Sequence, residues 1–164
     1  MKVLFNDLQR QLLSLYKKIS DKLGNNITPD FLMDNSLGSI FFRSYNSETF
    51  QNKNGASAFC LDLWSFILQH MNPAVIVCYD LVSYRGFIII FEKQGYFSRE
   101  IKKRTEWGNT NYFSTELLCK RNSLLLFGLP HISRYKIFCG KEKYNLAVED
   151  IASQIADKLR SLQS

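Results

Sequence analysis

Two apolar runs near the middle of the chain, residues 74–79 and 86–91, constrain the fold more than any other feature. Both runs are rich in β-branched residues, and the polar stretch 80–85 separates them. Continuous apolar runs are typical of strands that are covered on both faces, whereas a strand with one wet face alternates. We therefore predict two central strands that are joined by a turn.

The rest of the chain provides helices and further strands around this pair. We predict helices at residues 3–23, 58–71, 99–107 and 145–162, and strands at 39–45, 112–119, 124–127 and 135–139. Residues 25–37 and 46–57 are polar, and Asn54-Gly55 is a turn signal, so we expect loops there. The helix at 58–71 has the length of a crossover, which predicts that the strands on either side of it are parallel.

This order of elements predicts an α/β fold, a single-domain mixed β-sheet flanked by helices over residues 1–164. The first helix carries a long Leu-rich stripe, which ends at Gly24. Such a stripe fits a helix that packs into the core, and it also fits a helix that forms a dimer. The sequence leaves both interpretations open.

Charge and cysteine content limit the classes of partner. The formal net charge is +6, which permits a polyanionic partner such as nucleic acid. The four cysteines and two histidines are not at zinc-ligand spacing, so we predict no metal site. Thiols inside apolar runs suit a reducing compartment, and no apolar run is long enough to cross a bilayer. We expect a cytoplasmic protein with no membrane partner.

Common catalytic motifs are missing from the sequence. It contains no Gly-rich phosphate loop, no GxSxG elbow and no HExxH motif. His70 and His131 have no matching serine or cysteine context, which does not favour a catalytic triad.

One order of residues is similar to that of a nuclease family. Pro29-Asp30 precedes a predicted strand that ends in Arg43-Ser44-Tyr45, a helix follows, and an apolar strand then runs from Pro73 to Asp80. Over roughly residues 1–120, this order resembles the PD-(D/E)xK, restriction-endonuclease-like superfamily. The resemblance implies a restriction-endonuclease-like core.

The resemblance also implies a site, and the chain departs from the family there. The family uses carboxylates to hold Mg²⁺ and a lysine to orient the attacking water. Here Arg43 stands in place of the acid and Tyr45 in place of the lysine. We therefore expect a degenerate site of Asp30, Arg43, Tyr45 and Glu48, with no efficient cleavage and no cofactor. Mg²⁺ would be needed only for residual nuclease activity, and Asp30 equally fits a plain loop acid.

A second candidate surface is basic and contains aromatic residues. Cations beside aromatic rings suit phosphate contact and base stacking. The predicted nucleic-acid-binding residues are Arg99, Lys102, Lys103, Arg104, Trp107, Lys120 and Arg121. A solvated charged helix is the plainer interpretation of the same stretch.

The sequence thus predicts a nuclease-like domain that binds nucleic acid or a nucleoprotein partner without efficient cleavage. A module for protein interaction or homodimerisation, without nucleic-acid binding, is the alternative. A residual Mg²⁺-dependent nuclease is the third hypothesis.

Overall fold

The computed structural model describes residues 7–24, 27–34, 53–105, 110–120, 122–139 and 145–162. In chain order the elements are α1 (Asp7–Leu23), α2 (Pro29–Asp34), α3 (Lys53–His70), β1 (Val75–Cys78), α4 (Leu81–Lys93), β2 (Phe97–Arg104), β3 (Asn111–Cys119), β4 (Asn122–Gly128), α5 (Ile132–Tyr135) and α6 (Asn145–Arg160). Contacts divide the chain into two compact units. The first unit holds described residues of 1–37, 103–112 and 130–164, and the second holds those of 38–102 and 113–129.

The strands form a mixed sheet in the order β1-β4-β3-β2. β1 runs parallel to β4, and β3 runs antiparallel to β4. The predicted α/β class is therefore confirmed, and so are the strands at 74–79, 112–119 and 124–127. The prediction that the strand at 74–79 is central is wrong for the described sheet, because β1 is an end strand there. The predicted strand at 39–45, and with it the predicted parallel pair, lies outside the described residues.

The second apolar run is a helix, so the prediction of a strand at 86–91 after a turn at 80–85 is wrong. Asp80 is the N-cap of α4, because its carboxylate accepts hydrogen bonds from the Ser83 amide and hydroxyl, each at 2.7 Å. The cap satisfies an amide that has no partner inside the helix. Buried side chains recur along α4 at steps of three and four, as in Tyr84, Phe87 and Phe91.

α4 covers the sheet of the second unit at close range. A Cβ atom at Gly128 of β4 would lie 2.6 Å from Tyr84 Cγ, so only glycine fits at this contact. On the side of α3, the ring of Trp64 meets Phe87 edge to face, with centroids 5.1 Å apart. Leu126 of β4 is fully buried in the same core.

Three further predictions are wrong, and each has a local cause. Residues 99–107 were predicted to be helical, but Phe97–Arg104 form β2 because they pair with β3. Asn54-Gly55 lies inside α3 and makes no turn. The predicted edge strand at 135–139 is replaced by α5 and a turn, since Lys136 adopts a left-handed backbone that ends the helix.

A short helix also occupies part of the predicted loop at 25–37. Thr28 Oγ1 accepts a hydrogen bond from the Phe31 amide at 3.1 Å, as an N-cap residue does. Pro29 then sits at the first helical position, where its missing N–H costs nothing. α2 is the result.

The first unit is built on α1 and α6, whose predicted ranges are largely confirmed. The α1 residues Leu15 and Ile19 are buried, and α1 packs on α6. Gln11 is buried as well: its Nε2 donates to the Ile132 carbonyl at 3.2 Å, and its Oε1 accepts from the Phe138 amide at 3.4 Å. The described part of the Leu-rich stripe therefore packs into a core.

Candidate functional site

Three contacts define the register of the β2–β3 hairpin. The Thr105 amide donates to the Thr110 carbonyl at 3.0 Å. Lys103 and Tyr112 both bond to Asp150, and Glu100 and Thr115 both bond to the Tyr84 hydroxyl. One regular antiparallel ladder satisfies all three contacts, and we infer that it places Phe97 opposite Leu118 and Arg99 opposite Glu116.

One face of this hairpin exposes large apolar side chains. Side chains two residues apart lie on the same face of a strand, so Phe97, Arg99 and Ile101 point the same way. Phe97 is 71% exposed and Ile101 is 47% exposed, while Leu118 across the ladder is 40% exposed. Arg99 and Glu116 are also exposed. This set of five residues is hereafter the hairpin face.

The opposite face of the hairpin is closed by a hydrogen-bonded tyrosine. The Tyr84 hydroxyl donates to Glu100 Oε2 at 2.5 Å, and a hydrogen bond joins it to Thr115 Oγ1. Burial, reinforced by the hydrogen bond to Glu100, raises the pKa of Tyr84 far above its ordinary value. Tyr84 therefore remains a neutral donor that ties α4 to β2 and β3.

Near the end of β2 and the start of β3, two side chains of the hairpin bind the carboxylate of Asp150. Asp150 of α6 accepts from Lys103 Nζ at 2.8 Å, from the Tyr112 hydroxyl at 2.5 Å and from Gln154 Nε2 at 2.6 Å. Burial raises the pKa of Asp150, but the hydrogen bonds from Lys103 and Tyr112 outweigh burial and leave it below its usual value. Burial and the hydrogen bond to Asp150 raise the pKa of Tyr112. Lys103 is thus committed to an ion pair.

The predicted nucleic-acid-binding residues divide into three groups. Arg99 and Lys102 are exposed on β2, and Lys120 is exposed after β3 with a positive φ of 52°. Lys103 bonds to Asp150, as described above. The Arg104 side chain and the whole of Trp107 and Arg121 lie outside the described residues.

The predicted nuclease site is largely outside the described residues. Asp30 is exposed in the first turn of α2, whereas Arg43, Tyr45 and Glu48 fall in the undescribed stretch. Within the described ranges, no group of three or more His, Cys, Asp or Glu side chains could hold a metal ion. Asp80, the acid that follows the apolar strand, is occupied as a helix cap.

The predicted helix at 99–107 left the exposure of Phe97 and Ile101 on a strand unrecognised. The two apolar residues of Phe97–Lys103 are four apart, which is the spacing of a helix, so this stretch has no period of two that could have identified a strand.

No match comes from the comparisons with protein-family models, curated proteins and solved structures. The functional argument therefore depends on the geometry of the chain itself. As for membranes, every helix within the described ranges is too short or too polar to span a bilayer.

A second exposed apolar surface lies on α3. Phe59 is 66% exposed and Phe66 is 62% exposed, and they are two helical turns apart on one side of the helix. The exposed Asp62 lies between them, and the Phe66 ring contacts His70 with centroids 4.6 Å apart. The buried side of the same helix carries Trp64.

Proposed function

We propose that the chain binds single-stranded nucleic acid on the hairpin face. The observation that carries this proposal is the exposed aromatic ring of Phe97 beside the exposed guanidinium of Arg99 on one face of a strand. An aromatic ring on an open sheet stacks on an unpaired base, and a neighbouring cation contacts the phosphate. Ile101 and Leu118 extend the apolar surface on which a base can lie.

The charge available to this site is smaller than the basic composition indicates. Lys103 bonds to Asp150, so among the hairpin side chains that the structure describes the exposed cations are Arg99, Lys102 and Lys120, and Lys102 lies on the other face of β2 from Arg99. Contact with two or three phosphates predicts a slope of about −1.4 to −2.1 in the dependence of log K on log salt for a single strand. Stacking then carries a large share of the affinity.

A salt titration tests this proposal. Binding of a fluorescently labelled 20-nucleotide single strand is followed by anisotropy, for the parent chain and for Arg99→Gln and Glu116→Gln. Arg99→Gln should weaken binding and make the salt slope shallower by about 0.7, because one phosphate contact is lost. Glu116→Gln should strengthen binding, because a negative charge leaves the hairpin face.

Lys17→Gln is the matched control, since Lys17 is exposed on α1 and is not part of the hairpin. It should change neither affinity nor slope. Equal weakening by Arg99→Gln and Lys17→Gln would show a non-specific response to net charge and would contradict the proposal.

The restriction-endonuclease-like core remains part of the proposal. The mixed sheet and the position of Asp80 directly after β1 support it. Arg43 in place of the family's acid favours a chain that does not cleave efficiently. Incubation with plasmid and with single strands in Mg²⁺ or Mn²⁺ should leave both intact, and rapid metal-dependent cleavage would contradict this part.

We also place the protein in the cytoplasm. All four cysteines are within the described residues and none forms a disulfide, and Cys60 and Cys78 are buried. Burial raises the pKa of Cys78 and keeps it a thiol. Reduced, buried thiols suit a reducing compartment.

A second candidate function is binding of another protein through α3. The observation that favours it is the pair of exposed rings, Phe59 and Phe66, with the acid Asp62 between them. Exposed aromatic residues are typical of interface anchors, and the acid favours a basic helical segment as the partner. Phe66→Ser should abolish capture of such a segment and leave nucleic-acid binding unchanged.

A further inference from the structure

The strand β2 has an open edge in the sheet that the structure describes. It is the last strand in the order β1-β4-β3-β2. Four consecutive residues, 99–102, are exposed to solvent, although Glu100 also accepts a hydrogen bond from the Tyr84 hydroxyl. An open edge presents unpaired N–H and C=O groups, which another strand can bond.

The register of the hairpin shows which backbone groups point outward. The Thr105 amide bonds to β3, so the amides of Lys103, Ile101 and Arg99 also point toward β3. The amides of Glu100 and Lys102 therefore point away from β3, into the open edge.

We propose that two copies of this chain form a dimer by antiparallel pairing of their β2 strands, with Ile101 on the two-fold axis. In this register Glu100 of one copy lies opposite Lys102 of the other, and symmetry makes this pair twice. Registers centred one residue away place Glu100 against Glu100 or Lys102 against Lys102. Charge complementarity therefore selects a second copy and a single register.

The proposed pairing also accounts for the apolar residue that lies between the charged residues Glu100 and Lys102. Ile101 is 47% exposed in one copy and would lie against its symmetry mate in the dimer. Arg99 would face Lys103 of the other copy, whose charge Asp150 offsets. The dimer does not depend on nucleic-acid binding, although it would join two hairpin faces into one continuous surface.

A charge-swap experiment tests the dimer on the full chain, purified free of nucleic acid. The parent chain should form a dimer with increasing concentration in sedimentation equilibrium. Lys102→Glu places acid against acid. Glu100→Lys places amine against amine and also removes an acceptor of the Tyr84 hydroxyl, so thermal unfolding is used to check that this variant folds. Each variant alone should dimerise about tenfold more weakly or worse, and an equimolar mixture should regain the dimer.

Lys17→Glu is the matched control for the loss of positive charge, and it should leave the dimer intact. A parent chain that remains monomeric at all concentrations would overturn the proposal. A dimer that Lys102→Glu does not weaken would overturn it too, because another surface would then be responsible.

Cross-linking provides a second test, which does not depend on the strength of the dimer. Residues on the axis form a non-hydrogen-bonded pair about 4.5 Å apart at Cα, which a disulfide can bridge. In a Cys139→Ser background, Ile101→Cys should form a covalent dimer on mild oxidation, whereas Phe97→Cys should not. Equal cross-linking of the two variants would contradict the register.

Discussion

α4 and β2 are consecutive in the chain and place their apolar side chains in opposite surroundings. α4 buries Phe87, Ile90 and Phe91, whereas β2 exposes Phe97 and Ile101. Buried apolar area stabilises a fold, and an exposed aromatic ring contributes almost nothing to it. The comparison teaches that α4 serves stability and that the hairpin face of β2 is available to another molecule.

The largest expected effect on stability distinguishes the buried side of α4 from its exposed side. Ile90 is 1% exposed and Ile89 is 44% exposed. Ile90→Ala should lower the free energy of unfolding by about 2–5 kcal/mol, because it leaves a cavity in the core. Ile89→Ala should change it by less than about 1 kcal/mol. Urea unfolding measures both, and equal losses would contradict the burial of α4.

The cap of α4 gives the next effect. Asp80→Ala removes the acceptor of the Ser83 amide and should cost about 0.5–2 kcal/mol of stability. Asp80→Asn keeps an acceptor at the same place and should cost much less. If both substitutions have the same effect in thermal unfolding, Asp80 does not act as a cap.

Within β2, Lys103 also contributes to stability, through its ion pair with Asp150. Lys103→Ala should cost about 0.5–1 kcal/mol at neutral pH, because both partners of its ion pair are about one-third exposed. Lys102→Ala, on the other side of the strand, should be nearly neutral. Urea unfolding of the two variants and the parent chain makes this comparison.

The effect of Lys103 should depend on pH in one direction. The folded pKa of Asp150 is below its unfolded value of about 3.9, so the pair stabilises the fold above that value. Its contribution is lost as the pH falls through the folded pKa. The gap in stability between the parent chain and Lys103→Ala should therefore close in acid, and a gap that persists there would contradict the pairing.

The smallest expected effect on stability is at Phe97. Phe97→Ala should change the free energy of unfolding by no more than about 0.5 kcal/mol, since the ring is 71% exposed. A large loss in thermal unfolding would show that Phe97 packs in the protein, and the contrast with α4 would fail.

The same two regions show how much of the fold could be predicted from the sequence. Apolar content correctly placed Phe87, Ile90 and Phe91 in the core but did not distinguish strand from helix, since Ile88 and Ile89 mask the helical period. The deciding signal was Asp80 three residues before Ser83, a helix cap. For β2 the sequence predicted a helix where the structure has a strand, because pairing with β3 overrides the local preference for a helix.

Only part of the candidate site could be predicted from the sequence. The position of the basic stretch could be read from composition, and Arg99 and Lys102 are exposed as a binding surface requires. The ion pair of Lys103 with Asp150 could not be read, because it joins residues that are far apart in the chain. The strand conformation that exposes Phe97 also depends on such distant pairing.

The most direct test of the account is the affinity of Phe97→Ala for a single-stranded 20-mer, measured beside the parent chain at several salt concentrations. Loss of one stacked base predicts binding about 5- to 150-fold weaker with an unchanged salt slope, because no charge is removed. Unchanged affinity in a variant that folds normally would contradict the claim that the hairpin face binds nucleic acid.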